Sequence, residues 1–393
     1  MIKEKKASKN FETSDYLEIV KLFIFWRLLL FVMLGLGIVL VSANSNFLGG
    51  GAANYISNPW AYAWANFDGE HFISIAMRGY LPLQYFFFPA YPYITGLLAN
   101  VFGGDIKTYL FSGLFVSHIS LLVALLGLWK LILLDYKKNI ARLTILTILL
   151  FPTSFYLASF YSESLFLALI VWTFYFARQK KWLLAGLLAG IASATRVIGV
   201  ILPLVIVVEW WQANDRKLFP MPFKALVGVL LAGSGLAIYM LFLKETTGDY
   251  LEFINRVGLF GEQRSSGLIL LPQVIYRYVF KILPSVDYSY LPMVFTIWLE
   301  FPSSVLFLIL SVVSFFRLRL SYSVYLTLGY LIPTLAGSFS SMPRYAIVLF
   351  PGFILMAIYF SKLSRIRKLI LLLVLFILLG TSTIMFTRGY WVS

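Results

Sequence analysis

The sequence predicts an all-α polytopic membrane protein, and three observations carry that reading. The 393 residues are 60% hydrophobic and 12% charged, where a soluble domain is roughly half apolar and a quarter charged. Apolar runs of about 18 residues or more, the length a helix needs to cross a bilayer, recur from end to end. Most of the lysines and arginines behind the formal charge of +15 fall in short linkers between those runs, as the basic loops on the cytoplasmic side of membrane proteins do. That placement assigns the charge to topology and argues against nucleic acid as a partner. With no cysteine there is no disulfide or thiolate chemistry, and two histidines cannot build a multi-histidine metal centre.

Residues 1–21 carry Lys3, Lys5, Lys6, Lys9 and Lys21, so they are expected in the cytoplasm. The apolar run Leu22 to Val41 is too long for a signal-peptide core and reads as the first span. It leads to an external loop over 42–108. Tyr109 to Leu134 returns to Lys137, Lys138 and Arg142. Leu143 to Ala158 goes out, Tyr161-Ser162-Glu163-Ser164 turns, and Leu165 to Ala177 comes back to Arg178, Lys180 and Lys181. Trp182 to Glu209 begins and ends beside basic clusters. Its 28 residues therefore predict two short helices with Thr195-Arg196 at the outer apex. Broken helices at that depth need a protein or water-filled cavity to receive the freed polar groups.

Ala225 to Leu243 leads out to a second external loop, 244–290, whose Gly248, Gly258, Gly261, Gly267 and Pro272 suggest surface helices. Leu291 to Phe316, Tyr322 to Ala336, Ala346 to Phe360 and a final helix complete about eleven spans in one membrane domain, 1–393. The final helix leaves the C-terminus outside. No internal repeat of fixed period is evident, which weighs against inverted-repeat transporters.

The chain is organised around Asn66 to Pro92, a polar, Gly/Pro-punctuated stretch placing Asp68, Glu70 and His71 within four positions. Asp68-Gly69 signals a turn, the following residues are patterned as a helix, and Gly79 closes it. Tyr85 to Phe88, closed by Pro89 and Pro92, suits a membrane interface. Under this topology Asp68, Glu70, His71, Glu163, Arg196, Arg344 and Tyr345 converge on one side. Ionisable groups at membrane depth are costly and mark functional sites by default.

Each residue has a plainer reading as well. On spacing alone Asp68 suits a helix N-cap ahead of a general base, and the two roles can coexist; Glu70 in the first turn favours the helix dipole. His71 suits an interfacial hydrogen bond, and His118 a buried structural role. Glu163 suits capping of a helix beginning near Ser164, or a substrate contact. Arg196, flanked by Ala192, Ala194, Val197 and Ile198, needs an anion or water. Arg196 and Arg344 present forks suited to phosphate; an internal salt bridge such as Arg196 with Glu163 is the competitor.

These motifs together resemble the PIG-V-type mannosyltransferases, a branch of the GT-C superfamily. The resemblance runs through FDGEHFISIAMRGY (Phe67–Tyr80), FFPAYP (Phe87–Pro92), FPTSFYLASFYSES (Phe151–Ser164), ATRVIG (Ala194–Gly199) and SMPRY (Ser341–Tyr345). It implies a GT-C-like bundle with short amphipathic helices in its outer loops, in an inverting transferase at the external face of the plasma membrane. The implied donor is a polyprenyl-phosphate sugar such as dolichol phosphate mannose, and the acceptor a glycan, glycolipid or protein. Asp68 becomes the catalytic base. Glu70, His71, Tyr91, Glu163, Arg196, Arg344 and Tyr345 become donor- or substrate-binding residues. Phe67 stands where relatives often carry Trp, and the short external loops point to a prokaryotic-like member. No DxD pair accompanies Asp68, whose neighbours are Gly69 and Glu70. A metal-independent reaction is therefore expected, with a divalent cation as the alternative. The rival function is a lipid or polyisoprenoid flippase, which needs no catalytic acid or base.

Overall fold

The computed structural model describes residues 11–44, 46–217, 220–255 and 267–392. Lys3, Lys5, Lys6 and Lys9, and Gly258 and Gly261 of the second long loop, lie outside them. Among the described residues every regular element is helical. The helices of ten or more residues are α1 (Thr13–Leu40), α2 (Asp68–Arg78), α3 (Ala90–Val101), α4 (Ile106–Leu133), α5 (Lys138–Leu149), α6 (Glu163–Arg178), α7 (Trp182–Ser193), α8 (Leu202–Ala213), α9 (Phe223–Thr247), α10 (Leu291–Arg317), α11 (Leu320–Thr334), α12 (Phe350–Lys362) and α13 (Arg365–Thr387). Five of them, α1, α4, α9, α10 and α13, are long and apolar enough to cross a membrane. The other apolar runs fold as shorter helices.

The outward faces of the long helices carry exposed Phe25, Val39, Leu230 and Phe316. Such a surface is a liability in water and a requirement against hydrocarbon. Because lipid is as apolar as leucine, helices in a bilayer associate through close packing. The contact of α7 with α9 shows the device. A Cβ at Gly186 would collide with the Gly228 carbonyl, and one at Gly235 with the Gly190 carbonyl, so only glycine lets these backbones meet. Aromatic edges hold other helices together, as where Phe174 of α6 meets Phe350 of α12 at 5.2 Å and 82°.

Two features of this frame position the site. The run from 182 to 213 breaks where the sequence requires: α7 ends at Ser193, Arg196 is extended (φ −155°, ψ 147°), and a 3-10 turn over Val197–Ile201 leads into α8. The apex is tied to the first loop by the Ala90 N–H, which donates to the Ala194 carbonyl at 2.9 Å. The second feature is α6, which has opposite chemistry at its two ends. It begins at Glu163 and finishes at Arg178, roughly 22 Å away at 1.5 Å per residue. There Arg178 grips Asp135 through both nitrogens, at 2.7 and 2.8 Å.

Candidate active site

Asn66 anchors the first loop. It is fully buried, accepts from the Gly49 N–H at 2.7 Å, and donates to the Phe386 carbonyl at 2.8 Å. Its own carbonyl takes the Tyr161 hydroxyl at 2.7 Å. Phe67 follows with φ +57°, a left-handed conformation costly for an aromatic residue. That kink makes Phe67 the N-cap, so Asp68 is the first residue inside α2 and does not cap it. Asp68 is thereby turned towards the bundle. At the other end, Gly79 takes φ +78° and closes the helix as expected.

Arg344 reaches Asp68 from the short helix Met342–Ala346, whose N-cap Ser341 also has a left-handed backbone (φ +64°). Both acidic and basic partners thus follow a non-glycine residue at positive φ, the kind of local strain that gathers at functional sites. The Ser341 N–H donates to Glu300 Oε1 at 3.1 Å, and Thr153 Oγ1 donates to the Pro343 carbonyl at 2.9 Å, fixing the short helix from both sides.

Four charges then alternate. Arg344 Nη1 donates to Asp68 Oδ2. Arg344 Nε and Arg196 Nη1 both donate to Glu163 Oε1, each at 2.5 Å. Glu163 is fully buried, and the two arginine side chains are 8–9% exposed. The Arg344 guanidinium lies over the rings of Tyr161 (4.7 Å) and Tyr156 (5.0 Å), and that of Arg196 over Tyr345 (5.4 Å). Buried charges in a bilayer are costly unless paired, and these four pair with one another. Like Asp68, Glu163 is the first residue of its helix rather than the cap, which is Ser162. Its Oε2 has no hydrogen-bond partner.

Asp68, Arg196, Arg344 and Tyr345 open onto one cavity of about 920 Å³. The side of the Phe86–Phe88 segment, Val197, Ile198 and Phe253 is apolar; the side of α10 adds Thr296 and Glu300. The remaining sequence candidates do not line it. Glu70 accepts from the Gly51 N–H at 3.0 Å, and burial holds its carboxyl above the usual range despite that bond. His71 stacks on Phe87 at 4.9 Å, and burial lowers its imidazole below the ordinary value although Asp68 acts the other way. Tyr91 is buried, with its hydroxyl 3.0 Å from both the Gly113 carbonyl and Ser117 Oγ, joining α3 to α4. Among the described residues no three His, Cys, Asp or Glu side chains form a group able to hold a metal ion.

Glu300 and Trp391 line the cavity without having been singled out in the sequence. Glu300 sits in the middle of the apolar run LEFPSS, and a carboxylate there is itself a signal. Trp391 carries no comparable one.

No family model and no curated protein matches the sequence. Solved structures do. ArnT from Cupriavidus metallidurans bound to undecaprenyl phosphate is similar over 91% of this chain, with TM-score 0.51 and 17% identity. The Archaeoglobus fulgidus oligosaccharyltransferase in complex with Zn and sulfate is similar over 93% of this chain, with TM-score 0.44 and 15% identity. At this identity the likeness to ArnT is one of fold, and the chain has an all-helical membrane fold. It spans 62% of the length of ArnT.

Proposed function

We propose that this protein is a membrane glycosyltransferase. It takes a hexose, mannose by the sequence resemblance, from a polyprenyl-phosphate-linked donor and gives it to a glycan, lipid or protein acceptor at the external face of the plasma membrane. The observation that carries the reading is the alternating Asp68–Arg344–Glu163–Arg196 chain at the wall of a cavity that is otherwise largely apolar. The shared fold with ArnT, whose structure contains undecaprenyl phosphate, supports it.

The chemistry follows from the groups present. Asp68 accepts the proton of the acceptor hydroxyl. The oxygen attacks the anomeric carbon from the face opposite the phosphate, so the configuration inverts. The bond from that carbon to the phosphate oxygen breaks, and its electron pair leaves with the polyprenyl phosphate. The developing negative charge is met by Arg344 and Arg196, which Glu163 holds side by side in a low-dielectric setting. Donor phosphate competes with Asp68 for Arg344, so donor binding also loosens the ion pair that restrains the base. The basic linkers between the apolar runs support an active face outside the cell.

The test is reconstitution of the full chain in proteoliposomes with a polyprenyl-phosphate mannose and a panel of acceptors. A new glycosidic bond is expected, with Arg196→Ala weakening use of the donor. Translocation of the lipid without bond formation would instead establish a flippase.

A further inference from the structure

Two large aromatic side chains on the cavity wall are exposed, Tyr290 at 48% and Trp391 at 37%. Trp391 is the one beside Asp68: its ring meets that of Phe67, the preceding residue, at 5.1 Å and 82°. Its backbone is held from three directions. Thr296 Oγ1 donates to the Trp391 carbonyl at 2.8 Å, the Tyr156 hydroxyl donates to the next carbonyl, at Val392, at 2.5 Å, and the Tyr390 N–H donates to Met385 at 2.9 Å. An indole left open to a cavity, on a backbone this firmly tied, is a prepared contact surface.

Its place among the other groups decides what it contacts. Arg344 and Arg196 occupy one side of Asp68, where the donor phosphate sits, and the aromatic-aliphatic wall beyond them receives the lipid chain. The base must touch the acceptor hydroxyl, so the acceptor approaches Asp68 along Trp391 and Thr296, which line the same cavity. An acyl chain would need a closed apolar groove rather than one open ring, and a cationic peptide side chain would meet Arg344 and Arg196 in the same cavity, so neither gains from the indole there. A pyranose does, because its face of C–H bonds carries partial positive charge and meets the negative face of the ring, while its hydroxyls remain free for polar neighbours.

We propose that the acceptor is a carbohydrate and that Trp391 is the platform on which its terminal pyranose stacks, an inference that rests on the glycosyltransferase reading above. Trp391 is then an acceptor-binding residue with no part in holding the donor.

The test uses the full chain in lipid nanodiscs, with two readouts taken side by side on wild type, Trp391→Phe and Trp391→Ala. Undecaprenyl phosphate binding reports the donor side, and saturation-transfer NMR with methyl α-D-mannopyranoside and methyl β-D-glucopyranoside, in the presence of undecaprenyl phosphate, reports the acceptor side. Pyranoside C–H protons are expected to receive saturation in wild type. The dissociation constant should rise about tenfold in Trp391→Ala and change little in Trp391→Phe, as loss of one ring contact predicts. All three proteins should bind undecaprenyl phosphate equally. Equal pyranoside binding by Trp391→Ala, or no saturation in a wild type that binds undecaprenyl phosphate, overturns the carbohydrate platform and leaves the donor reading standing. A wild type that fails to bind undecaprenyl phosphate removes both.

Discussion

Glu163 is the hinge of the charge chain, and its replacement gives a quantitative prediction. One of its oxygens holds both guanidinium groups, at 2.5 Å each, and the other makes no bond. With Asp68 and Glu163 against Arg196 and Arg344, the four charges sum to zero. Glu163→Ala leaves Arg344 on Asp68 and takes from Arg196 its carboxylate, a local charge of plus one. Breaking a buried ion pair by deleting one partner costs about 3–5 kcal/mol. Glu163→Gln leaves the same local charge of plus one but keeps an oxygen that accepts from both guanidinium groups, each bond now charged on the donor side alone, and so costs less, about 2–3 kcal/mol in all. Denaturant unfolding in nanodiscs should therefore rank wild type above Glu163→Gln above Glu163→Ala. Undecaprenyl phosphate supplies the missing negative charge, so it should stabilise Glu163→Ala more than wild type at the same concentration. Adding Arg196→Ala should recover part of the loss, because the two side chains share one interaction. A Glu163→Ala protein within about 0.5 kcal/mol of wild type, with no greater response to the lipid phosphate, would refute the reasoning.

Three further outcomes follow from single contacts. Asn66→Ala strands the buried Gly49 N–H, while the Phe386 carbonyl keeps the Gly389 N–H at 3.1 Å, so it should cost about 1–3 kcal/mol in the same unfolding assay and lower turnover by releasing the Asp68 loop. Gly235→Val should abolish folded yield, read by size-exclusion chromatography, because its side chain has no space against the Gly190 carbonyl. For His71, the folded imidazole titrates below its ordinary value because of burial. Its contribution to stability is therefore complete above the unfolded value near 6.5 and is lost as pH falls through the folded one. His71→Phe should flatten that part of the acid unfolding profile, and an unchanged profile would count against a buried, stacked ring.

Much of the frame was legible from the sequence because the bilayer imposes simple rules. Apolar run length located the long helices, and basic residues at both ends of 182–209 required the break now seen at Arg196. The salt bridge weighed against a phosphate-binding role for Arg196 is present, and the same arginine also lines the cavity. Two capping assignments were displaced by one residue. Asp68 and Glu163 begin their helices instead of capping them, and in the case of Asp68 the cause is the positive φ of Phe67, which residue type does not announce. Glu70, His71 and Tyr91 belong to the same motifs but are not among the residues lining the cavity, since a short motif fixes neighbourhood and not direction. Glu300 was detectable as a carboxylate in an apolar run. Trp391 was not, because only the folded chain brings residue 391 beside residue 67.

The most direct test of the whole account is the rate of sugar transfer by Asp68→Asn from a polyprenyl-phosphate mannose, measured together with donor binding. The asparagine still offers Arg344 an oxygen, so folding should survive. Removing a competing anion from Arg344 should leave donor binding unchanged or tighter. Transfer should fall by about 10²–10⁴, the usual worth of a positioned base. Wild-type transfer by Asp68→Asn would contradict the account at its centre.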